Sequence, residues 1–192
     1  MSTKAQRIAR RKVALQRLGF RVNTKTRYRQ AIRDFQRSQG LTPSGWIRSG
    51  SRTEKVLFGC EARNKAGKPD LSTHFRYSEF LCKCGGRYAS CRRIWVKRSL
   101  VRRLEQLRKE TGPVQIVSGC RCDAYNASIG GASLSQHRKG RAADLGQTVT
   151  LSKMRSLKLF SGIGTSRSSG KVAHVDVRLG GSRWTPTLWY YT

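Results

Sequence analysis

The segment SLSQHRKGRAADL, residues 133–145, places His137 seven positions before Asp144 in a stretch otherwise made mostly of small and basic residues. The chain has only three histidines, and ten acidic residues against forty Lys and Arg. A histidine that merely fills a core has no need of that aspartate; a metal site has. A second pair follows in AHVDVRL, residues 173–179, where alternation predicts a strand with His174 and Asp176 on one face. Beyond residue 125 these four side chains are the only imidazoles and carboxylates. Two imidazoles and one carboxylate form a common catalytic zinc set with a fourth position open to water. Whichever carboxylate is left over can then take a proton from that water. Gly140, Ala142 and Ala143 let the backbone turn tightly between His137 and Asp144. A plainer reading stands beside this one: H-x6-D recurs by chance, and H-x-D on a strand serves equally as a surface pair.

The charge narrows the partners. A net charge of +30 on 192 residues is far more than solubility needs. It favours polyanions: nucleic acid, an anionic membrane face, or the acidic polymers of a bacterial wall. No apolar run of the length of a signal sequence follows the basic N-terminus, and nothing approaches the ~20 apolar residues of a membrane span. The expectation is a protein kept in a cytoplasm without membrane insertion until something else releases it. Six cysteines (60, 82, 84, 91, 120 and 122) are many for a reducing compartment, where clustered thiols bind metal more often than they pair.

Two modules are expected. In residues 1–58, Ala14, Leu15 and Leu18 make a short apolar stripe ending at Gly19. Tyr28, Ala31, Ile32 and Phe35 then recur at helical spacing, with Gly40 as a stop, and a third helix is expected to begin near Thr53–Leu57. From Glu61 to Leu71 the text EARNKAGKPDL loses its apolar period, so residues 59–72 read as a linker. Residues 73–192 read as α+β. Trp95 to Thr111 is an amphipathic helix closed by Gly112-Pro113, and VQIVSG follows as a short buried strand.

The segment SGCRCDAYNASIGGASLSQHRKGRAADL, residues 118–145, resembles the zinc D-Ala-D-Ala carboxypeptidases of bacteria and phages. That group also includes the vancomycin-resistance dipeptidases and the Hedgehog signalling fold. Ser135, His137, Gly140, Ala142 and Asp144 match its S-x-H-x-x-G-x-A-x-D hallmark, and Ser118, Gly119 and Arg121 its S-G-x-R element. HFRYSEFLCKCGG (residues 74–86) resembles the start of that domain, and VAHVDVR (residues 172–178) its last zinc-binding strand. The resemblance implies a small antiparallel sheet and zinc held by His137, Asp144 and His174. It further implies Arg121 polarising the scissile carbonyl and Ser135 orienting the ligand loop or touching substrate. Relatives carry Glu or Asp three residues before the last histidine ligand, or His two before it; here Lys171 and Val172 stand in those places, which leaves Asp176 as nominated base. An alternative register makes Asp176 the third ligand and His174 the base. His74 is expected to be structural. Cys82, Cys84 and Cys91 with Cys120 and Cys122 could form a second, structural zinc site or sit as core thiols.

Residues 15–47 resemble the three-helix peptidoglycan-binding module of wall hydrolases, through Leu15, Gln16, Leu18, Gly19, Ala31, Ile32, Phe35, Gln36, Gly40, Leu41 and Gly45. The segment before the second helix is shortened here to VNTKT. Together the resemblances imply a monomeric wall hydrolase of the endolysin or virion-associated lysin kind, acting next to D-alanine on peptidoglycan and concentrated on acidic wall polymers. The competing reading is a non-catalytic basic virion or nucleic-acid-associated protein that keeps the fold, with nucleic acid engaged through charge alone.

Overall fold

The computed structural model describes residues 2–146 and 148–191. Three helices open the chain: α1 (Lys4–Arg17), α2 (Lys25–Ser38) and α3 (Arg52–Lys65). Each starts on a hydroxyl: the Thr3, Thr24 and Ser51 side chains accept from the backbone N–H three residues on, and Gln6 completes a capping box with Thr3. The predicted apolar positions Ala14, Leu15, Leu18, Ala31, Ile32 and Phe35 are all buried.

The segment expected as a linker is partly helix and partly core. Helix α3 continues to Lys65, and Cys60, Glu61, Asp70 and Leu71 are buried. Polar composition misled the boundary because Glu61 faces inward on ion pairs with Arg10, Arg17 and Lys65, so a charged residue occupies an interior position. The core is continuous across this region. Phe20 meets Tyr77 edge-on at 5.3 Å between ring centroids, and the Tyr77 hydroxyl lies 2.7 Å from Ser38 Oγ and accepts from Gln39 at 2.8 Å.

The second part carries α4 (Arg98–Thr111), α5 (Asp123–Ser128) and α6 (Leu151–Ser156) around one sheet. Its strands are β1 (Ile116–Ser118), β2 (Ala142–Leu145), β3 (Gly162–Ser166), β4 (Val172–Asp176) and β5 (Thr187–Tyr191), in the order β1-β2-β4-β3-β5. Helix α4 begins three residues later than the periodicity predicts. Trp95 and Val96 are buried in the extended lead-in, and Leu100, Leu104 and Leu107 form the inward face. The sheet is mixed, not the antiparallel sheet expected: β5 runs parallel to β3. The reason is the connection, since residues 177–186 leave β4 and cross back to the free edge of β3, which a hairpin cannot do.

The register of β2 against β4 sets the site. These strands pair antiparallel with Asp144 opposite His174 and Ala142 opposite Asp176. Residues directly opposite project to the same side of a sheet, so thirty positions of chain separation collapse to one cross-strand contact.

Candidate metal centre

Three side chains converge. His137 lies on a 3-10 turn (Gln136–Lys139) that ends in Gly140, whose φ of +65° is left-handed. A side chain at Gly140 would also place its Cβ 2.3 Å from the Trp95 carbonyl oxygen, so this turn requires glycine. Asp144 comes from β2 and His174 from β4. His137 Nε2 lies 3.0 Å from Asp144 Oδ1 and 3.1 Å from His174 Nδ1, and His174 Nδ1 lies 2.9 Å from Asp144 Oδ1.

The outer contacts decide which atoms carry protons. His137 Nδ1 is 2.5 Å from the Gly119 carbonyl oxygen, which can only accept, so Nδ1 donates and Nε2 presents a lone pair. His174 Nε2 faces Asp176 Oδ2 at 3.4 Å; donating there leaves Nδ1 as a lone pair. Two imidazole lone pairs and a carboxylate oxygen thus meet within 3.1 Å with no proton between them. Three acceptors at that spacing repel unless a cation lies among them. Zinc with nitrogen and oxygen ligands at about 2.0–2.1 Å sets neighbouring ligands about 3.3 Å apart in a tetrahedron, close to the observed triangle. The residues fit a zinc ion.

Without a cation the electrostatics are strained in a telling way. Burial pushes both imidazoles toward neutrality; on His137 burial prevails and its pKa falls despite Asp144. On His174 the carboxylates on either side, Asp144 and Asp176, outweigh burial and its pKa rises. Burial raises the Asp144 carboxyl, but hydrogen bonds from His137 and His174, once a ring takes up a second proton in the cation's place, overcome this and hold it well below the usual range.

Arg121 projects beside this triangle. Its Nη2 donates to Asp144 Oδ2, while Nε donates to Ser118 Oγ at 3.3 Å, so Asp144 turns one oxygen to the imidazoles and the other to a fixed cation. Ser135 precedes the 3-10 turn; its carbonyl accepts from Arg138 N at 3.2 Å, and it lines the same cleft of about 740 Å³ as Arg121, His137, His174 and Asp176.

Asp176 is placed differently from a free base. It is fully buried, its Oδ1 accepts from Arg178 Nε at 3.0 Å and its Oδ2 from Arg178 Nη2 at 2.6 Å. Burial raises its pKa, but the bonds with His174 and Arg178 more than offset this and hold it at about 2. Asp176 contacts the Nε2 side of His174, and the triangle contains His174 Nδ1. The geometry brings together the His137, Asp144 and His174 set of the first register, with Asp176 behind it. His74 lies apart, its Nδ1 on Glu105 Oε2 at 2.7 Å, where it ties the segment before α4 to that helix.

Several contributors had no sequence signal. Trp189 on β5 packs on the His174 ring at 5.0 Å between centroids, and Arg178 stacks over Trp189 at 5.2 Å. Gly164, opposite His174 and Trp189 in the register, makes this possible: a Cβ there would meet Trp189 Nε1 at 2.7 Å and Tyr191 Cε2 at 2.6 Å. The Gly119 carbonyl that orients His137 is a backbone group and leaves no mark in side-chain patterns. Only the aromatic-rich run TLWYY, residues 187–191, could have suggested the last strand.

Residues 73–176, more than half of the chain, match the family model described as Peptidase M15. The chain belongs to the M15 peptidases. No curated protein matches it. M15 peptidases are zinc-dependent, so membership and the donor geometry agree on a zinc metallopeptidase. In this M15 peptidase the match ends at Asp176, so β5 with Trp189 and Tyr191 lies outside the matched region while packing on the centre. Among the described residues no helix is long and apolar enough to cross a membrane.

Proposed function

We propose that this M15 peptidase cuts peptide bonds of peptidoglycan stems or cross-links beside D-alanine, and that residues 1–58 hold it on the wall. The observation that carries the reading is the triangle of three acceptor atoms within 3.1 Å in an open cleft, beside an arginine. Zinc held by His137, Asp144 and His174 would supply a Lewis acid for the scissile carbonyl and lower the pKa of an attacking water. The protein's own groups do the rest. The Gly119 carbonyl and Asp176 keep the two imidazoles in the tautomers that offer lone pairs to the cation. Arg121 carries a fixed charge at the cleft, where a carbonyl oxygen gaining negative charge can accept from its guanidinium. Ser135 at the cleft wall helps place the peptide. Asp176 is assigned here as a positioning residue for His174, because its oxygens are committed to that ring and to Arg178.

Wall targeting rests on the helical resemblance and on the +30 charge, which concentrates the chain on acidic wall polymers. The setting we propose is a phage lysin made in the host cytoplasm, or carried in the virion, and acting on the wall after release. Purified cell walls incubated with zinc-loaded protein test this. The expected result is released D-alanine or new amino termini next to D-alanine by mass spectrometry, abolished by chelator and restored by zinc. Unchanged muropeptides at full zinc loading, or cleavage that survives chelation, would refute it. Salt-sensitive DNA binding without wall binding would favour the nucleic-acid reading.

A further inference from the structure

Outside the cleft, the cysteines form a second convergence. The Sγ atoms of Cys82, Cys84, Cys91 and Cys122 all lie within 4.8 Å of one another and all four residues are buried. Cys82 Sγ is 3.5 Å from Cys84 Sγ, and Cys84 Sγ is 3.8 Å from Cys122 Sγ. A disulfide would bring two sulfurs to about 2.05 Å. Four thiolates on one zinc at about 2.3 Å lie about 3.8 Å apart along the tetrahedron's edges, close to the 3.5 and 3.8 Å separations here. Backbone groups also aim at the sulfurs: Cys122 N–H donates to Cys82 Sγ and Arg93 N–H to Cys91 Sγ, each at 3.3 Å. Such donors suit sulfurs that carry negative charge.

We propose that Cys82, Cys84, Cys91 and Cys122 bind a structural zinc ion that fixes the loop carrying Arg121 and the edge on which the N-terminal helices dock. Binding is a proton exchange with no redox step: four thiols give four protons to solvent, and zinc with four thiolates forms a complex of net charge −2. The set of five cysteines expected from the sequence narrows to four. Cys120 turns away, its thiol donating to the Phe80 carbonyl at 2.9 Å.

Position explains the need. Residues 81–97 contain no helix or strand, yet they join the first part of the chain to the second. A metal cross-link there replaces a core that the loops are too short to build. Arg21 donates to the carbonyls of Tyr88, Ala89 and Cys91 at 3.3–3.4 Å, and Arg27 to that of Ser90 at 3.2 Å, so cations from the helical part grip the loop that a dianionic centre would anchor. On the other side Cys122 directly follows Arg121, whose guanidinium pairs with Asp144. Zinc at the cysteines therefore positions Arg121 without touching substrate.

This inference is independent of the wall-hydrolase reading, and the test separates them. The full-length chain, purified with a phosphine reductant and no chelator, is analysed for metals, and its cobalt form is examined by absorption. The expected content is two zinc ions per chain, falling to one in His137→Ala and to one in Cys84→Ser. Thiolate-to-cobalt charge-transfer bands should persist in His137→Ala and vanish in Cys84→Ser. Wild-type protein alone gives a further readout should Cys84→Ser fail to fold: mercurial titration of the thiols should release one zinc while the other stays. A single zinc lost entirely in His137→Ala, iron in place of zinc, or, in protein purified without the reductant, a mass lowered by four hydrogens through two disulfides would overturn the proposal.

Discussion

Asp176→Asn separates two accounts of the same carboxylate. The side chain keeps its shape but loses its charge, so the bond that orients His174 changes from charge-assisted to neutral. Mutating the outer partner of a metal-bound histidine typically costs about 10–100-fold in metal affinity. At 3.4 Å the His174 Nε2–Asp176 Oδ2 contact is long, which puts the loss toward the lower end. We expect about 1.4–2 kcal/mol, or roughly a 10–30-fold loss of zinc affinity at the triangle, within the range typical for partners of metal-bound histidines. The assay is activity restored to chelator-stripped protein in zinc buffers, read against wild type under the same conditions, since the cysteines are identical in both and only the triangle differs. Half-activation should move to roughly 10–30-fold higher free zinc, with kcat at saturating zinc within about threefold of wild type. A proton acceptor would behave in the opposite way, because general-base catalysis contributes about 10²–10⁴-fold. Unchanged half-activation with kcat down at least about 100-fold would therefore refute the positioning role.

His137→Ala removes one of three donors and should lower peptidase activity by at least about 10³-fold, the several kcal/mol of charge stabilisation that a catalytic metal supplies, while circular dichroism stays native. Retained activity would mean that the triangle is not the catalytic centre. Gly164→Ala forces a Cβ to within 2.6–2.7 Å of Tyr191 and Trp189. Overpacking of this kind costs about 1–3 kcal/mol, and a thermal midpoint lowered by about 2–10 °C is expected from calorimetry. Tyr77→Phe deletes the hydroxyl bonded to Ser38 and Gln39 between the two parts of the chain. A loss of about 1–2 kcal/mol in denaturant unfolding, in one transition, is expected, and no loss would show those bonds to be energetically idle.

The local order of the chain was legible because it depends on neighbours in sequence. The helical period of Tyr28, Ala31, Ile32 and Phe35, the stop at Gly112 and the alternation around His174 all correspond to elements observed. His137, Asp144, His174 and Asp176 stood out for a different reason: in a chain this basic, carboxylates beside imidazoles are conspicuous, and the family resemblance, not composition, chose three of the four as ligands. What the sequence left open was which side of His174 Asp176 would occupy. Strand alternation places both residues on one face but says nothing of ring orientation, and only the pairing of β2 with β4 turns Nδ1 toward Asp144. The same limit hid β5, whose parallel place beside β3 depends on a crossover, and the inward Glu61, whose pairing with Arg10 and Arg17 depends on another helix. Chemistry carried by residue type can be read along a chain. Chemistry carried by direction and register exists only once the strands have paired, because separation in sequence does not encode which atoms will face each other.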